Sequence, residues 1–279
     1  MIEYLNLNFI NVKINKDQNQ PLAGTYRVTS IPASLFLDET GGKLGEISGY
    51  LPAEPFLDAL KKAVENRKKL ADLDARTVKD PTDVEAWVAA GKLCMDGGSA
   101  DQASTRFQKA LDADKENQKG FAADAHYYLG YSHLMKDDLE SAHKEFAETT
   151  KLDPEGKRGY ADNIRFVELK IALQQVENSG NLGNALPDID RFLTDFPTSE
   201  SLPDAKFYKG MVLWQVGKRQ EGFDILTELA AAHPESQAAQ AAKTQYLPQM
   251  EQELKNAGGV GPPKKDEHPE KDEGEHPKK

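Results

Sequence analysis

The sequence predicts an α+β chain in three parts: a short, incomplete α/β unit, a longer all-α array of helix hairpins, and a disordered charged tail. Three observations predict it. Runs of β-formers separated by turn residues occupy positions up to about 50. Helical periodicity with self-similarity at about 34 residues fills the middle and C-terminal part. From Asn256 to Lys279 the chain is Gly, Pro, Lys, Asp, Glu and His with almost nothing apolar to bury.

With 279 residues the chain exceeds one compact domain of roughly 100–200 residues. The expected boundaries are 1–67 for the α/β unit, 68–83 for a linker, 84–255 for the helical repeats and 256–279 for the tail. A formal net charge of -11 repels phosphate backbones and anionic headgroups, which argues against nucleic acid as a partner. No stretch approaches the roughly 20 apolar residues of a spanning helix, so membrane insertion is not expected. Met1-Ile2-Glu3-Tyr4 lacks the basic start and apolar core of a secretory signal, and the default expectation is the cytoplasm. One cysteine, Cys94, allows neither an intrachain disulfide nor a thiolate metal cage.

In the first unit Phe9 to Ile14 reads as a strand, with apolar residues at 10, 12 and 14. A short amphipathic piece carrying Leu22, Ala23 and Tyr26 follows and leads to Ile31-Pro32. Ala33 to Leu37 is a second strand, Asp38-Glu39-Thr40-Gly41-Gly42 is turn chemistry, and Lys43 to Tyr50 returns antiparallel as a hairpin. Pro55 marks the start of a helix with Phe56, Leu60, Ala63 and Val64 at helical spacing. Lys68 to Asp83 reads as its tail running into a connector, with Pro81 near the end.

From Phe9 to Val64 the residues resemble the C-terminal half of a thioredoxin domain, through Val12-Lys13-Ile14-Asn15 with Asp17, Tyr26-Arg27-Val28, Ile31-Pro32, Phe36-Leu37-Asp38, Gly42 and Gly49-Tyr50. The resemblance implies a cis bond before Pro32, the structural cis-proline candidate. It also implies a first strand, first helix, central strand and Cys-x-x-Cys that would precede Met1. Thiol-disulfide exchange needs an attacking and a resolving thiol, and 1–67 holds no cysteine. The expectation is therefore a non-enzyme, or else a truncated form of a thiol-disulfide oxidoreductase whose start lies upstream of Met1. In that second case a periplasmic or envelope location is open. The alternative is a degenerate unit that never had cysteines.

The repeats resemble the tetratricopeptide (TPR) family. The first supplies Trp87, Gly91, Gly98, Ala103, Phe107 and Ala110 at the family's packing positions, and the second Gly130, Ala142, Phe146 and Pro154. The third is degenerate, with Leu173 at the small position and Ile189 at the aromatic one, but keeps Gly180, Ala185 and Pro197. The fourth gives Gly210, Gly217, Gly222 and Pro234, with Leu226 for the aromatic. A last helix within 237–254 would cover the open end.

The TPR resemblance implies a superhelix whose groove is lined by the first helix of each hairpin. Carried over, its positions include Lys92, Tyr127, Tyr131, Lys170, Gln174, Phe207, Met211 and Trp214. Aromatics and Met on such a face suit peptide recognition, although each could equally pack against the neighbouring hairpin. With Val88 and Lys92 on the first helix, the family's clamp for a terminal carboxylate is not visible.

Other candidates reduce to packing or solvent. Cys94 falls at an inward position, as a small hydrophobe. His126 and His133 share a helix face without a completing carboxylate at ligand spacing. His268 and His276 lie in the tail, and Gly258-Gly259-Val260-Gly261 lacks the strand and helix of a phosphate loop. No catalytic residue, metal or cofactor is expected. The functional expectation is an adaptor that binds a protein or peptide partner, its oligomeric state open.

Overall fold

The computed structural model describes residues 2–256, so the expected tail, with Gly258 to Gly261, His268 and His276, lies outside the described residues. The chain forms two compact units that part between Ala161 and Asp162.

The first unit contains α1 (Ile2–Asn8), α2 (Gln20–Thr25), strands β1 (Ala33–Leu37) and β2 (Lys43–Ser48), then α3 (Ala53–Lys79), α4 (Val84–Asp96), α5 (Ala100–Ala113), α6 (Ala122–Leu134) and α7 (Leu139–Leu152). β1 and β2 pair antiparallel, Ala33 opposite Ser48 and Phe36 opposite Gly45, with an irregularity between Phe36 and Leu37. The turn is held by Asp38, whose Oδ1 accepts from the Thr40 N–H, the Thr40 hydroxyl and the Gly42 N–H at 2.7–2.8 Å. The Ile31–Pro32 bond is cis, as the resemblance implied.

The strand expected at 9–14 does not form: β1 and β2 are the strands of the sheet among the described residues. Ile10, Val12 and Ile14 are 95%, 74% and 50% exposed. Alternating apolar residues specify a face, but a strand also needs a ladder partner for its N–H and C=O groups, and this run finds none among the described residues. The helix α1 just before it had no motif to announce it.

The helix expected from Pro55 is longer than its first turns suggested. Leu60, Ala63, Leu70 and Thr77 recur at helical spacing and are all buried, so α3 is one unbroken 27-residue helix that absorbs 68–79 of the expected linker. The connector shrinks to residues 80–83. Its last residue, Asp83, caps α4 by accepting from the Ala86 N–H at 3.0 Å, and also takes the Arg76 guanidinium at 3.0 Å.

The hairpins α4–α5 and α6–α7 pack as the repeat pattern requires, glycine of the first helix against the aromatic of the second. A Cβ on Gly130 would stand 2.7 Å from Phe146 Cε1. One core runs from Phe36, Leu44 and Ile47 of the sheet through Leu60 and Leu70 of α3 to Phe107, Ala125 and Leu129 of the hairpins. The sheet is tied to the α4–α5 turn where Ser99 Oγ donates to the Lys43 carbonyl at 3.1 Å and accepts the Lys43 N–H.

The second unit holds α8 (Ala161–Ser179), a 3₁₀ turn (Leu182–Ala185), α9 (Leu186–Asp195), α10 (Leu202–Gln215), α11 (Arg219–Ala232), α12 (Gln237–Ala241), a π turn (Ala242–Tyr246) and α13 (Leu247–Asn256). α10 and α11 approach closely through glycine, a Cβ on Gly210 meeting Leu226 Cγ at 2.6 Å and one on Gly222 meeting the Gly210 carbonyl at 2.6 Å. Leu173 and Ile189, the two departures from the pattern, sit in a side-chain cluster with Phe166 and Phe192. The last helices, 237–256, bury Ala238, Ala239, Ala242 and Met250 with Leu226 and Leu229 of α11. No helix among the described residues is long and apolar enough to cross a membrane.

Candidate functional site

On α4, α6 and α10 the glycine side faces the partner helix, and the residues expected to line a groove lie at other positions of the first helices. In the first unit these are Lys92 on α4 and Tyr127 and Tyr131 on α6. Lys92 is half-buried, its Nζ 4.6 Å from the centre of the Tyr128 ring. Tyr131 meets Phe146 edge to face at 5.5 Å. Tyr127 is only 7% exposed, because Tyr160 from the connection after α7 stacks on it with ring centres 3.8 Å apart and planes 10° from parallel.

The same connection supplies polar partners for a buried carboxylate. The Tyr160 hydroxyl and the Arg158 guanidinium both donate to the buried carboxylate of Asp124, and Arg158 also donates to the Gly120 carbonyl. Burial, followed by the neighbouring Tyr128, pushes the Tyr160 phenol well above its ordinary range. The sequence reading missed this cluster. Asp124 stands three residues before the expected groove position Tyr127 on α6 and could have been noticed; Tyr160 lies in a connection where no pattern operates.

The two histidines of α6 are each matched to a carboxylate of the same hairpin, His126 Nδ1 to Glu145 at 2.6 Å and His133 Nδ1 to Asp138 at 3.1 Å. Among the described residues no group of three His, Cys, Asp or Glu side chains is placed to hold a metal. Cys94 is buried and burial pushes its thiol up to about 11.

In the second unit Lys170 and Gln174 of α8 are exposed, Lys170 Nζ lying 5.8 Å from the Phe166 ring centre. Phe207, Met211 and Trp214 recur at i, i+4 and i+7 on α10 and form one half-buried apolar stripe. Tyr246 of the π turn meets Phe207 edge to face at 5.4 Å, and the Arg219 guanidinium stacks 5.4 Å from Trp214. The expected groove residues thus fall on α4 and α6 of the first unit and on α8 and α10 of the second.

No family model matches the chain, and no curated protein matches it. Among solved structures it is similar to MamA, with a TM-score of 0.46 and 16% identity over 67% of this chain and 98% of that one.

Proposed function

We propose that the protein is an adaptor that binds polypeptide segments on the first-helix faces of its hairpins. The observation that carries this reading is the stripe Phe207, Met211 and Trp214. It borders the cluster of Leu226 and Leu229 on α11 and Met250 on α13, and the Trp214 backbone also lies against Gly222. Tyr246 covers part of it, yet all three remain half-buried rather than buried. Large rings and a methionine held partly open on a rigid helix suit anchoring an apolar peptide side chain at low entropic cost. Binding also suits the chain better than thiol chemistry, since its single cysteine is buried with a raised pKa.

The test is selection from a random-peptide display library on the immobilised full chain. Enriched peptides should lose at least roughly tenfold in affinity on Trp214→Ala and Met211→Ala chains that keep the parental circular dichroism. Peptides that bind those variants as tightly as the parent, or no enrichment at all, would count against the reading.

A further inference from the structure

Two connections of the first unit share one pattern thirty-nine positions apart: Asp-x-Glu-x-x-Lys-Gly-Phe over 114–121 and Asp-x-Glu-x-x-Arg-Gly-Tyr over 153–160. Each is a turn closed on its own aspartate. Asp114 accepts from the N–H groups of Gln118 and Lys119 at 2.8 and 2.6 Å, and Asp153 from those of Lys157 and Arg158 at 3.0 and 2.8 Å. They differ in what their last residues meet. Phe121 packs against the core of the unit and Lys119 is exposed. In the later copy Arg158 and the Tyr160 hydroxyl converge on the buried Asp124, and the Tyr160 ring lies flat on Tyr127. The residues thirty-nine positions before Asp124 and Tyr127 are Glu85, whose carboxylate takes Arg76 at 3.3 Å, and the buried Val88. The turn itself therefore does not require the later pairing.

A buried carboxylate adds little stability over a well-packed apolar residue, and its best use is to specify a partner. Asp124 with Tyr127 beside it specifies one closely: a guanidinium for the carboxylate and, two residues on, a ring to stack whose hydroxyl reaches the same carboxylate. The segment that meets this requirement is lightly attached. Within 153–160 the backbone bonds are local, the Gly156 N–H to the Asp153 carbonyl and the Gly159 N–H to the Gly156 carbonyl, both at 3.0 Å. The bonds that reach α6 and Gly120 come from the side chains of Arg158 and Tyr160. Lys157 and Gly159 are exposed, and Gly156 and Gly159 stand at positive φ. Both side chains can be withdrawn with the turn intact.

We propose that Arg158-Gly159-Tyr160 is a ligand held in cis on α6, and that a partner polypeptide carrying arginine two residues before tyrosine displaces it, placing its guanidinium on Asp124 and its ring on Tyr127. This rests on the reading that first-helix faces take polypeptide and names the chemistry that α6 selects. It also accounts for the burial of Tyr127, an expected groove residue only 7% exposed: its position is occupied by the chain's own segment. The cis segment acts as a competitor at high effective concentration, so the site rejects weak or partial matches.

Calorimetric titration of full chains with the end-blocked peptide Glu-Gly-Lys-Arg-Gly-Tyr-Ala-Asp, the sequence of 155–162, tests it. A chain emptied by Arg158→Ala with Tyr160→Ala should bind the peptide at least roughly tenfold more tightly than the wild type, where the cis segment competes. Adding Asp124→Asn to the emptied chain, or putting alanine for the arginine or the tyrosine of the peptide, should weaken binding at least roughly tenfold. In the wild type, excess peptide should quicken amide exchange over 156–160 and leave α5 unchanged. Circular dichroism reports whether the emptied chain is folded. Arg158→Lys with Tyr160→Phe, which keeps a donor and a ring, serves as a second variant that should also bind more tightly than the wild type. The results should be the same on a Trp214→Ala background, so this inference and the α10 stripe fail separately. A folded emptied chain or second variant that binds no better than the wild type, equal binding of the alanine peptides, or a wild type whose exchange over 156–160 the peptide leaves unaltered would overturn the proposal.

Discussion

Gly91 of α4 lies under the ring of Phe107 of α5, so closely that a Cβ at Gly91 would stand 2.5 Å from Cε1 and 2.7 Å from Cζ of the ring. The relation recurs between Gly130 and Phe146 and between Gly210 and Leu226. It is the contact that sets the distance between the two helices of a hairpin. Where the small residue is replaced, as by Leu173, the first helix stands off: α8 and α9 do not approach as closely as α4 and α5 do.

Gly91→Ala should therefore destabilise the first unit by about 1–3 kcal/mol through overpacking, more than offsetting alanine's better helix propensity. Denaturant unfolding measures it. Combining it with Phe107→Leu should cost less than the two single changes added together, because the second change makes room for the first.

Tyr160→Phe removes one of the donors to the buried Asp124 carboxylate and should cost about 1–3 kcal/mol. Burial favours the neutral phenol in the folded state, so its contribution is intact below the ordinary tyrosine pKa of about 10 and is lost as pH rises above it. Unfolding curves taken above that pH should show the wild type losing stability more steeply than Tyr160→Phe.

The Cys94 thiol, raised from 9.0 to about 11 by burial, should resist iodoacetamide in the native protein near about pH 8 and react on addition of denaturant. Its contribution to stability is present below pH 9.0 and falls through the window up to about 11, so Cys94→Ala should flatten that part of the pH profile. Rapid labelling of the folded chain would contradict the burial argument.

Ser99→Ala removes both hydrogen bonds to the Lys43 backbone and should loosen the β-hairpin from the α4–α5 turn at about 1–2 kcal/mol. Amide exchange at β2 should quicken while that of α6 stays slow. Equal acceleration at both would mean that the bond supports the whole unit instead of the hairpin's docking.

Much of the fold was legible because it is written in local chemistry. The β-hairpin follows from a five-residue turn signal between apolar runs, and its strands begin at Ala33 and Lys43 as expected. Gly91, Phe107, Gly130 and Phe146 announce the hairpins because helix–helix distance depends on residue size at those positions. Phe9 to Ile14 failed because a strand is a relation between two segments, which an alternating pattern in one segment cannot supply. The length of α3 was understated because Leu70 and Thr77 are spaced among charged residues, where the buried stripe is thin. Among the expected groove residues, Lys92 and Trp214 were placed by the family resemblance, which gave no sign of the covering of Tyr127. That depends on Tyr160, thirty-three positions later, in a turn whose course is set by Gly156 and Gly159 at positive φ.

The unbroken run of α3 bears on how the protein can be divided. Stacked helix pairs expose an apolar flank at each end, and something must plug it. Leu60, Ala63 and Leu70 lie in one core with Val84, Val88, Ala90 and Phe107, so α3 is the plug at the start of the α4–α7 pair. A fragment that begins at residue 84 would shed it and uncover that flank. Soluble fragments of the first unit should begin before Ala53 and carry the whole helix.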